Sequence, residues 1–162
     1  MPRRLSLSTV LLCGGGLLAL SMGIRHGFGL FQLPMVQARW AEGWNRETFA
    51  IAIALQNLVW GMTGPIAGAW ADRLGAMRVV IVSVVLYASG LVIMALATHG
   101  ILFSFGAGVL IGCALAGSTY SIVYGVIGRT APPEKRSQAL GIAAAAGSFG
   151  QFLMVPVEQG MI

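Results

Sequence analysis

The sequence predicts an all-α integral membrane protein with about five transmembrane helices. Three observations carry that prediction. Of 162 residues, 57% are hydrophobic and only 9% are charged, whereas a soluble domain carries roughly a quarter charged residues. So few charges do not cover a water-facing surface. Mean hydropathy is +0.82, which points to the bilayer as the solvent. The charges also fall in short groups, and the apolar runs between them are long enough for the ~20 residues that cross a hydrocarbon core. The 23 glycines would weaken helices in water, but in a bilayer small residues let helices pack closely. The net charge of +5 does not mark a nucleic-acid binder, because the basic residues occupy gaps between apolar runs and form no patch with interleaved aromatics. The expected partner is membrane lipid.

The chain opens Met1-Pro2-Arg3-Arg4 and then turns apolar to about Met35. No small-x-small cleavage site closes a short apolar core, so this is a retained helix and not a signal peptide. We expect one long tilted helix over roughly 8–36, with Arg25 inside it and Pro34 near its far end. A polar link follows, Arg39 to Glu47, whose Trp40 and Trp44 suit a membrane interface. Asn45 is placed to cap the next helix by accepting from free backbone N–H groups. That helix is expected over about 47–71, a charged turn from Asp72 to Arg78, and a third helix over about 79–98. His99-Gly100 makes a short connection to a fourth helix over about 101–127. Gly128 to Arg136 reads as a polar loop in which Pro132 and Pro133 stop the helix, and a fifth helix is expected over about 137–162.

Basic residues set the orientation. With the N-terminus in the cytoplasm, the inner side holds Arg3, Arg4, Arg73, Arg78, Arg129, Lys135 and Arg136, and the outer side only Arg39 and Arg46. The positive-inside rule selects this arrangement. The expected location is therefore the inner (plasma) membrane of the cell, as a multi-pass protein.

The most specific stretch is Gly68-Ala69-Trp70-Ala71-Asp72-Arg73-Leu74-Gly75-Ala76-Met77-Arg78. Gly68 lies one turn before Asp72 and would let a neighbouring helix come close. Asp72 sits at a helix C-terminus, where the dipole disfavours negative charge, so Arg73, Arg78 or a helix N-terminus elsewhere should compensate it. Gly75 permits a tight reversal. The alternative is that Asp72 and the arginines form only a solvated loop.

This stretch resembles the signature of the major facilitator superfamily between its second and third helices. It departs from the pattern at Ala76 and Met77, which precede Arg78 where basic residues usually follow the second glycine. The resemblance implies the N-terminal six-helix bundle of that fold, and a gating and latching role for Gly68, Asp72, Arg73, Gly75 and Arg78. Arg25-His26-Gly27-Phe28-Gly29-Leu30-Phe31, Trp44-Asn45-Arg46-Glu47-Thr48 and the run from Lys135 to Ser148 resemble the monocarboxylate and oxalate–formate branch. The likeness covers about Gly23 to Gln159. Gly108 stands near the place of an arginine that many drug exporters of the superfamily carry in helix four. The fifth helix has Pro156 but lacks the full Gly-Pro pattern of antiporters. The two inner loops share a loose helix, basic turn, helix pattern of the kind found in repeat-built transporters, without a residue-level repeat.

Arg25 is the most informative single residue. A charge within a membrane helix costs at least ~2.5 kcal/mol on insertion scales, so it faces a water-filled path or a partner. As a cation in such a path it would attract an anionic substrate, and Gln32, seven residues on, would line the same face. Alternatively it lies high enough to snorkel to the surface. By resemblance, the branch's usual lysine in this region falls at His26, so Arg25 and His26 both stand as the substrate-facing cation. His26 also titrates near neutral pH and could carry a proton, against a plain hydrogen-bonding role. Glu158, the one acidic residue of the fifth helix, is either a proton site near the outer mouth or an interfacial charge near the chain end, and the second reading is preferred. Gln56 and Asn57 in helix two, and Gln151 in helix five, either bind substrate or tie helices together. Tyr120 and Tyr124 share a face of helix four, as cavity lining or as packing. Gly64/Gly68 and Gly108/Gly112 are small-xxx-small pairs suited to close packing.

No nucleophile elbow, phosphate loop or paired-carboxylate motif is present, so an enzyme is not expected, nor a cofactor. Cys13 and Cys113 lie in apolar runs as small buried hydrophobes and have no metal-ligand spacing. The expected function is secondary active transport by alternating access, as proton-linked carriage of small organic anions such as monocarboxylates. The rivals are an exporter of hydrophobic compounds on the same fold and a truncated, non-transporting membrane protein. Against the superfamily's two bundles of six, helix six and the C-terminal half are missing, so the chain reads as a fragment whose cavity needs that half or an oligomer partner.

Overall fold

A computed structural model of the chain describes residues 6–38 and 45–161. The basic N-terminal residues and the expected interfacial link with Trp40 and Trp44 lie outside the described residues. The described residues are helical almost throughout: α1 Leu7–Ala38, α2 Arg46–Leu74, α3 Ala76–Leu96, α4 Gly100–Ser104, a π-helical stretch Phe105–Leu110, α5 Ile111–Ser118, α6 Tyr120–Thr130 and α7 Pro133–Gln159. By length and composition five spans are suited to crossing a membrane, the fourth running from Gly100 to Thr130. Large apolar side chains stand outward on them, with Leu12 77% and Ile101 86% exposed. Helices apolar on their outer faces are stable where lipid replaces water.

Three boundaries differ from the sequence expectation, each for a local reason. The charged turn expected from Asp72 to Arg78 shrinks to Gly75 alone. Helix α2 continues through Asp72 and Arg73, because polarity does not end a helix when its backbone bonds can continue. Gly75, at φ 92° and ψ 139°, makes the reversal, its N–H donating to the Ala71 carbonyl at 3.1 Å. That backbone region is essentially restricted to glycine. Second, the loop expected from Gly128 to Arg136 is only Ala131 and Pro132. Pro133 opens α7, since proline at a first helical position forfeits no intrahelical bond. Third, the fourth span is not one uniform helix. It widens at Phe105–Leu110 and breaks at Thr119, which is extended at φ −120° and ψ −155°.

The chain divides into two compact units, one of Met1–Phe28 with Thr119–Ile162, the other Gly29–Ser118. In the second unit α2 begins with the expected cap: the Asn45 side-chain oxygen accepts from Thr48 N–H at 2.9 Å. Glycines bring the fourth span against its neighbours. A Cβ on Gly112 would stand 2.9 Å from the Gln56 carbonyl oxygen, and one on Gly90 would stand 3.0 Å from that of Gly106. Phe49 and Phe103 close the far end with ring centroids 4.8 Å apart, both fully buried.

In the first unit, α1 and α7 run parallel along a seam of small residues. Gly15 meets Ala146, Ala19 meets Gly150, Gly23 meets Met154 and Gly27 meets Glu158. Each step advances four residues on both helices, the spacing that keeps side chains on one helical face. The core beside the seam joins Val10 and Leu18 of α1 to Val123 and Ile127 of α6 and to Ala139 and Ala143 of α7.

Candidate functional site

The residues singled out in the sequence divide between the two units. Gln32, Gln56, Asn57 and the Gly68–Arg78 stretch belong to the second; Arg25, His26, Tyr120, Tyr124 and Gln151 belong to the first.

In the second unit, the π-helical stretch determines what Gln56 does. In an α-turn, Ile111 N–H would bond to the Ala107 carbonyl; here it donates instead to the Gly106 and Gly108 carbonyls. Gln56, 3% exposed, donates from Nε2 to the Ala107 carbonyl at 2.8 Å. The amide therefore ties α2 to the widened turn. Asn57 is turned outward and donates to the Ile53 carbonyl one turn back at 2.9 Å. Gln32 is half-buried on α1.

At the other end of this unit, Asp72, Arg73, Gly75 and Arg78 are all exposed. The close helix approach expected at Gly68 is not found: among the described residues no atom lies within 4 Å of where its Cβ would be. Beside the turn lies an apolar crevice of about 530 Å³, walled by Trp70, Leu74, Val79, Val82 and Cys113, with Arg78 on its lining. It contains none of the residues proposed from the sequence to touch substrate.

In the first unit, Arg25 is half-buried and His26 exposed on α1. Tyr120 and Tyr124 stand with ring centroids 5.3 Å apart, and the Tyr120 hydroxyl lies over Gly147 of α7, 2.6 Å from where a Cβ would be. Tyr120 thus fills the space this glycine leaves. Gln151 is half-buried on α7. Cys13, expected to be buried, is exposed, as a residue in an apolar run is when that face meets lipid.

Glu158 departs most from its sequence reading. An interfacial charge would be exposed, yet Glu158 is 5% exposed. Its carboxyl lies against Gly27, in the space a side chain there would occupy. Oε2 is buried without a hydrogen-bond partner among the described residues. The signal that would have found it is the four-residue spacing of Gly15, Ala19, Gly23 and Gly27, which marks the contacting face of α1 and ends opposite Glu158. No group of three or more metal-binding side chains occurs among the described residues.

Comparison with known proteins agrees with this architecture. The sequence profile of the Major Facilitator Superfamily matches residues 5–162. Multidrug resistance protein 2 of Bacillus subtilis (strain 168) is 30% identical over 111 residues, covering 68% of this chain and 26% of that protein. The chain thus spans about a quarter of the length of the curated relative it matches. No solved structure matches.

Proposed function

The chain belongs to the major facilitator superfamily, a family of transporters and not of enzymes, and from that membership we propose that it is part of a secondary active transporter. In this reading the protein works by alternating access and carries small organic anions, such as monocarboxylates, together with a proton. The observation that supports the anion is Arg25, a guanidinium held half-buried within a membrane-spanning helix. Such a charge belongs to a substrate path or an ion pair. Substrate binds near the bilayer midplane between two bundles, the second supplied by a C-terminal half or by an oligomer partner. The candidates for substrate contact are His26, Tyr120, Tyr124 and Gln151 in the first unit, and Gln32, Gln56 and Asn57 in the second. The stretch Gly68, Asp72, Arg73, Gly75 and Arg78 gates the cytoplasmic side of a plasma-membrane protein whose N-terminus is inside.

The test is uptake of labelled monocarboxylates into vesicles holding the intact carrier. Arg25→Gln should abolish uptake while the protein stays in the membrane. Unchanged uptake removes Arg25 from the substrate path. A second reading, export of hydrophobic compounds on the same fold, is favoured by the name of the Bacillus relative. It predicts drug resistance on expression and no anion uptake.

A further inference from the structure

We propose that Glu158 is a proton-binding site built into the α1–α7 seam, with Gly27 as the cradle that admits its carboxyl. Three observations converge on it. The carboxyl is buried, although it stands near the end of its helix. One oxygen lacks a hydrogen-bond partner among the described residues. The space it occupies exists because residue 27 has no side chain: a Cβ there would overlap the carboxyl. A buried oxygen without a donor is costly, and a proton is the smallest group that removes the cost, converting an acceptor-only carboxylate into a neutral acid. A bare metal cation fits less well, since hard cations take about six or more oxygen ligands and a single carboxylate stands here.

Charged and titratable groups on the packed elements come from three helices. From α1, His26 and Arg25 immediately precede Gly27 in sequence. From α6, Tyr120 is engaged three turns earlier along α7, over Gly147. The other charged residues of α7, Glu134, Lys135 and Arg136, lie in its first turn. His26 is exposed on α1, whereas Glu158 is buried. Protonation of Glu158 changes the charge at the end of the seam next to the two cations proposed to meet an anion.

This site deepens the proton-linked reading above and rests on it for its role, but its chemistry is measurable without flux. The 162-residue chain in phosphatidylcholine nanodiscs is titrated between alkaline and acid buffers, and infrared difference spectra are taken in the carboxylic-acid carbonyl region. A protonated acid without a hydrogen-bond donor absorbs at higher frequency than a solvated one, which separates Glu158 from the exposed Glu47, Asp72 and Glu134. The expected result is a high-frequency band that grows on acidification and is lost in Glu158→Gln. Gly27→Ala should shift its titration midpoint, because the added methyl displaces the carboxyl. Gly29→Ala, with open space at its Cβ position, should leave it unmoved. Absence of the band, or its persistence in Glu158→Gln, overturns the site even if the intact protein carries anions. A band that behaves as expected supports the site even if no anion flux is found, in which case only the transport reading falls.

Discussion

The parallel seam between α1 and α7 should be the most intolerant surface of the first unit, and Gly150→Ala tests it most directly. A Cβ on Gly150 would overlap the Cα, carbonyl carbon and carbonyl oxygen of Ala19. Those are backbone atoms, so no rotamer change relieves the collision and the two helices must separate. Overpacking of a tight contact costs about 1–3 kcal/mol, and overlap with backbone places this case near the upper end. Replacing glycine by alanine inside a helix returns up to ~1 kcal/mol of helix propensity, leaving a net loss near 2 kcal/mol. Gly141, on the same helix, has nothing within 4 Å of its Cβ position, so Gly141→Ala should gain up to ~1 kcal/mol. The assay is reversible unfolding of the chain in mixed detergent micelles, followed by circular dichroism. A gap of about 3 kcal/mol between the two variants is expected. Equal stabilities would show that α1 and α7 do not meet as described, and the cradle for Glu158 would go with them.

Two further substitutions probe the second unit. Gly75→Ala forces a side chain onto a backbone at φ 92° and should cost about 1–3 kcal/mol, whereas Gly68→Ala, with free space at its Cβ, should be neutral or slightly stabilising in the same unfolding assay. A loss at Gly68 as large as that at Gly75 would reinstate the packing role expected from its sequence. Gln56→Leu removes the donor to the Ala107 carbonyl and should cost about 0.5–2 kcal/mol. Wild-type stability in that variant would mean that the amide is not a tie between α2 and the widened turn.

The helix count was legible because membrane spans are written in composition: an apolar run of sufficient length has no other stable use in lipid. Helix ends were less legible, because the reading placed them at charges. Asp72 and Arg73 show why this fails: a helix that protrudes toward water keeps its backbone bonds through charged residues. In the sequence Pro133 reads as a stop, because proline breaks a helix it follows, yet the same residue starts one without penalty. Asn45 was read correctly since its capping geometry is local. The roles of Gln56 and Glu158 were not legible. One depends on a carbonyl 51 residues away, and the other on a glycine in a helix at the opposite end of the chain. Periodicity does not reach the first partner, and for the second it marks only the contacting face of α1, not what meets it.

The widened turn at Phe105–Leu110 bears on how this span is compared with those of its relatives. A π-helical turn accommodates one residue more than an α-helical turn over the same path. Residues on either side of it therefore keep faces that a steady helical count would place about a quarter-turn apart. Loss of a single residue between 105 and 110 would restore ordinary winding while Phe103 and Leu115 still point into the same interior. A one-residue gap in this stretch of an alignment is thus a change of winding and not a shift of face, and lining residues in the second half of the span should be matched after allowing for it.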